Sequence, residues 1–99
     1  MKINWSKEAM INLQQIEDFI SADNPEAAIR FTDKLISLSK DIGRFPKRGR
    51  IVPELSIDLI REIIYKNDRI VYAVKKNSIT ILTVFESHKL FSKDNIKKE

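Results

Sequence analysis

Apolar residues recur at two different spacings along this chain, and the change comes near residue 50. From Ser6 onward Ala9, Leu13, Ile16 and Ile20 step by four, three and four, with Met10 and Phe19 flanking the stripe. That spacing predicts an amphipathic helix of about 15 residues, with the Ser6 hydroxyl as N-cap. It stops at Ser21-Ala22-Asp23-Asn24-Pro25, where Asn24 is placed to cap a second helix. Pro25 would take the first helical position, where a missing N–H costs nothing, and Glu26 would complement the helix dipole. The second helix carries Ala28, Phe31, Leu35, Leu38 and Ile42 on one stripe. Gly43 reads as its left-handed C-cap, and Pro46 forbids continuation. Two such helices joined by a short turn should pack as an antiparallel hairpin that still needs a surface to cover it.

The second half supplies that surface. Leu59 to Tyr65 is one apolar run, closed by Lys66-Asn67-Asp68. Arg69 to Lys75 alternates, with Ile70, Tyr72 and Val74 on one face and Arg69, Val71 and Ala73 on the other. After Lys76-Asn77-Ser78, the stretch Ile79 to Phe85 is rich in β-branched residues. Three such runs with two tight turns predict an antiparallel meander, to which Ile3-Asn4-Trp5 could add an edge strand. The expected fold class is therefore α+β, a helical hairpin on a small antiparallel sheet. Both sheet faces carry apolar side chains, so one meets the helices and the other is only partly wetted. Trp5, Phe19, Phe31, Tyr72 and Phe85 are expected in the core, with Tyr65 and Phe91 freer to meet a partner. Residues 1–91 form one domain and 92–99 a polar tail.

Composition narrows the chemistry. The 99 residues include no cysteine, one histidine and two glycines, which excludes disulfides, thiol nucleophiles and phosphate-cradling glycine loops. No apolar run approaches the roughly 20 residues a membrane span needs, and the start lacks a signal peptide, so a cytoplasmic protein is expected. No cofactor or metal is called for. The formal net charge of +4 is unevenly spread. Residues 1–43 are net −2, whereas residues 44–50 carry Arg44, Lys47, Arg48 and Arg50 with no acid. Such a loop favours phosphate backbones or acidic partners, or serves as a solvated surface.

Four groups could carry chemistry: Glu54 after the basic loop, Arg61 and Arg69 on neighbouring strands, and His88 after the last strand. A meander would bring Arg61 and Arg69 to one region of the sheet, with His88 toward the same end. A carboxylate, guanidinium groups and an imidazole beside a basic loop are the parts for metal-free cleavage of an RNA phosphodiester. Each also has a structural use. Glu54 can pair with Arg50 or Arg48 across the turn, Arg61 and Arg69 can be strand-face charges, and His88 can be an ordinary surface residue.

Several pieces of the chain, in order, resemble the RelE/ParE superfamily of bacterial type II toxins over roughly residues 1–91. They are Ile3-Asn4-Trp5-Ser6, Asn24-Pro25-Glu26-Ala27-Ala28, Pro46-Lys47-Arg48-Gly49-Arg50 with Val52-Pro53-Glu54-Leu55, Ile60-Arg61-Glu62-Ile63, Asp68-Arg69-Ile70-Val71-Tyr72 and Ile79 to Val84. The resemblance implies a growth-arresting, plasmid-stabilising toxin blocked by a cognate antitoxin. RelE-like members are mRNA interferases that cut messenger RNA on the ribosome, and ParE-like members block DNA gyrase. The Asn-Pro-Glu-Ala-Ala helix start and long hairpin resemble the ParE side. Glu54, Arg69 and His88 match positions where ribosome-dependent members keep catalytic groups, with Arg48, Arg50, Arg61 and Lys89 as phosphate or RNA contacts. The expectation is ribosome-dependent mRNA cleavage, with non-enzymatic gyrase inhibition and a degenerate, antitoxin-binding toxin as the alternatives. The sequence leaves the oligomeric state open.

Overall fold

In the computed structural model, which describes residues 1–86, the chain runs strand, helix, helix and then four strands. Strand β1 (Lys2–Trp5) leads into α1 (Lys7–Asp23) through Ser6. The Ser6 hydroxyl accepts from the Ala9 N–H at 3.0 Å and donates to the Leu82 carbonyl at 2.9 Å. One residue thus caps the helix and ties its start to the sheet. Asn24 is both the C-cap of α1 and the N-cap of α2 (Pro25–Arg44), its Oδ1 accepting from the Ala27 N–H at 3.1 Å. The hairpin turn is therefore tighter than the sequence suggests.

Two expectations about the helices need correction. Gly43 has no left-handed backbone; it lies inside α2, whose C-cap is Phe45. Its missing side chain serves packing instead, because a Cβ there would meet Ile3 Cδ1 at 3.1 Å and the Met1 carbonyl at 3.2 Å. Phe19, expected in the core, is 80% exposed. It sits to one side of the Ala9–Leu13–Ile16–Ile20 stripe, about a quarter turn off the buried face.

The remaining strands are β2 (Arg50–Ile51), β3 (Ile60–Tyr65), β4 (Asp68–Val74) and β5 (Ser78–Glu86). They make one five-stranded sheet in the order β1-β5-β4-β3-β2. The antiparallel meander is β3-β4-β5, and β1 adds to its edge in parallel, with Lys2 opposite Ser78. The sheet is therefore mixed. The two-residue β2, unforeseen in the basic loop, pairs Arg50 with Glu62 on the other edge. Lys66 takes a positive φ of 55° in the β3–β4 turn, which sets Tyr65 opposite Asp68.

A bulge between Val71 and Tyr72 leaves Leu82 as the extra residue of β5. It carries the alternation one residue onward. Ile79 and Ile81 before it and Val84 after it all join the core beneath the helices, with Phe31, Leu35, Ile42, Ile70 and Tyr72. Val71 and Leu82 on the other face form a second cluster with Val52, covered by the segment after β2 through Leu55. The second face is thus roofed by chain rather than open. Among the described residues no helix is long and apolar enough to cross a membrane.

Candidate functional site

The roofed face of the sheet holds two of the charges that the sequence singled out, Arg69 and Glu54. Arg69, on β4, is 6% exposed and points away from the helices with Val71. Register places it opposite Ile64 of β3 and diagonal, on the same face, to Glu62, whose carboxylate is fully buried. Arg69 donates through Nε to Glu62 Oε1 at 2.7 Å. Its two terminal nitrogens reach Glu54 Oε2 and Oε1, each at 2.9 Å, a bidentate pair. The guanidinium carbon lies 5.2 Å from the centroid of Phe85. Glu62 in turn accepts from Arg50 Nε at 2.6 Å. The result is an alternating chain, Glu54–Arg69–Glu62–Arg50, whose exposure rises toward both ends.

This arrangement sets the protonation of its members. The Arg69 hydrogen bonds, against some opposing desolvation, hold the Glu54 carboxyl down to about 2. Arg69 is correspondingly pushed up, first by Glu54 and then by Glu62. A carboxylate so stabilised is a weak base, and a guanidinium gripped by two carboxylates has little left for a phosphate.

Arg61 lies apart. It stands opposite Tyr72 on β3, on the helix-side face, so it and Arg69 do not converge as the sequence suggested. Its Nε donates to the Asp58 carbonyl at 3.0 Å, and its terminal nitrogens reach the Lys47 and Gly49 carbonyls and Asp58 Oδ1. Tyr72 completes the clamp, donating to the Pro46 carbonyl at 2.8 Å and accepting from the Gly49 N–H at 2.9 Å. Burial pushes its hydroxyl pKa up. The basic loop is thus held by its backbone. Its side chains pair locally, Lys47 with Asp58 and Arg48 with Asp41, both at 3.2 Å. Lys47 and then Arg61 draw the Asp58 pKa down.

Of the residues expected at a catalytic centre, Glu54 and Arg69 meet directly. Arg50 joins them through Glu62, while Arg48 and Arg61 serve the loop. His88 and Lys89, like Phe91, lie outside the described residues. Sequence reasoning missed Glu62 and the polar role of Tyr72. The signal for Glu62 was available: a carboxylate at an alternating position of an apolar strand, across a two-residue turn from an arginine. Among the described residues no group of His, Asp and Glu is placed to hold a metal ion.

Comparison with known proteins gives a consistent picture. The family model for the ParE toxin of the type II toxin-antitoxin system parDE matches residues 3–91. A solved structure of the chromosomal ParDE toxin-antitoxin system from P. aeruginosa is similar, with a TM-score of 0.70 and 20% identity. The match covers 87% of this chain and 95% of that one. No curated protein matches the sequence significantly.

Proposed function

Because the chain belongs to the ParE family of type II toxin-antitoxin toxins, we propose that it arrests growth by binding DNA gyrase, without covalent chemistry, until a cognate antitoxin covers it. The observation that carries this reading is the closed Glu54–Arg69–Glu62 network. Those side chains are spent on holding the roof segment to the sheet, where a nuclease needs a free base and a free phosphate clamp. The hairpin meanwhile presents Phe19 and Ile29 to solvent, large apolar side chains of the kind that anchor protein contacts.

The test is a supercoiling assay with purified gyrase, relaxed plasmid and the full-length toxin. Loss of supercoiling at saturating toxin is the expected result. Intact supercoiling, together with cleavage of mRNA on programmed ribosomes, would overturn the proposal. It would favour the second reading, ribosome-dependent cleavage by Glu54, Arg69 and His88, which has in its favour that the first two do meet. That reading requires the ion pair to open on the ribosome.

A further inference from the structure

Beside the C-terminus of α2 lies an open groove of about 530 Å³ that the gyrase reading does not use. Its floor is apolar, built from Met1, Phe45, Pro46 and Val74, and its rim carries Arg44, Lys47 and Arg48. Phe45, the C-cap of α2, is 64% exposed. The sheet register adds further cations at this end. Lys2 stands opposite Ser78, and the β4–β5 turn that contains Lys75 and Lys76 closes through the Lys75 N–H to the Ser78 carbonyl at 2.8 Å. Two carboxylates, Asp41 and Asp58, answer the rim cations. Both of those pairs are solvent-exposed, the kind that contributes little and that a phosphate readily displaces.

We propose that this groove binds single-stranded nucleic acid, with a base stacked on Phe45 and the flanking phosphates held by Arg44, Lys47 and Arg48. Charge complementarity selects an anion. The apolar floor, with the Phe45 ring in it, selects one that carries planar rings between its charges, which every single strand does and a run of acidic residues does not. A duplex keeps its bases stacked inside and offers the floor no ring face. The contact is independent of sequence and of whether gyrase is the target, since phosphates and ring faces are common to all bases.

The experiment is fluorescence anisotropy of a labelled oligothymidylate of about a dozen nucleotides, titrated with the full chain over a range of salt. Binding at low salt is expected, with log affinity falling against log salt at a slope of about −2 for three phosphate contacts. Phe45→Ala should weaken binding by about tenfold at unchanged secondary structure, since one stacked base is lost. Arg44→Ala should weaken it and flatten the slope. Arg30→Ala removes the same charge from the same helix about 21 Å away and should leave binding unchanged. Absence of binding at about 100 µM protein overturns the proposal, as does an unaffected Phe45→Ala protein. So does an equal loss in Arg30→Ala, which would make the effect one of overall charge. Duplex DNA or polyglutamate binding as tightly as the single strand would also overturn it.

Discussion

Arg69 is nearly buried, and a buried guanidinium is tolerable only while its charge and hydrogen bonds are answered. Glu62 answers it from inside and Glu54 from the rim. The network says little about net stability, because desolvating such charges costs about as much as their attraction returns. Breaking it is another matter. Glu62→Gln leaves Arg69 short of a buried counter-charge and should destabilise the fold by about 3–5 kcal/mol, read as a lower urea midpoint. Glu54 is partly exposed, so its contribution is smaller and screened. Its pKa falls from 4.5 to about 2 on folding, so its stabilisation is present in full above about pH 5 and drains away as the pH drops toward 2. The urea midpoints of the wild-type and Glu54→Gln proteins should accordingly differ at neutral pH and converge as the pH approaches 2.

The basic loop is shaped by what lies beneath it. Gly49 is buried against the sheet, and a Cβ there would fall 2.5 Å from the Glu62 carbonyl and 2.7 Å from the Tyr72 hydroxyl. The carbonyl is backbone and cannot step aside. Gly49→Ala should therefore displace the loop, break the Gly49 N–H to Tyr72 hydrogen bond and cost about 1–3 kcal/mol. Thermal unfolding would show the loss. The helices, by contrast, were legible from local signals. Ser6, Asn24 and Pro25 act where capping chemistry places them, because a cap is a relation among residues three apart. Gly43 was misjudged for the complementary reason: its role is set by Ile3, 40 positions away. The β-runs and both turns were legible as well, but the Leu82 bulge was not, since a bulge exists only in the pairing of two strands.

Taken as one body, the protein carries its family likeness over residues 3–91, and the toxin assignment needs no single residue. Its mechanism is a question about surfaces. If gyrase is the target, Glu54→Gln and His88→Ala proteins that still fold should arrest growth as the wild type does. Labelled thymidine incorporation should then fall in the first minutes, before amino-acid incorporation; the reverse order, lost in both variants, would point to the ribosome.

Local patterning sufficed for two capped helices, three strands, a two-faced sheet and a basic loop, because periodicity and capping act over a few residues. Tertiary contact decided which charges are spent. Glu54 had three arginines within plausible reach, and only the register of β3 on β4 and the path of the roof segment gave it Arg69, leaving Arg50 to Glu62 and Arg48 to Asp41. Charge pairing depends on distances across strands, and no spacing along a single chain encodes them.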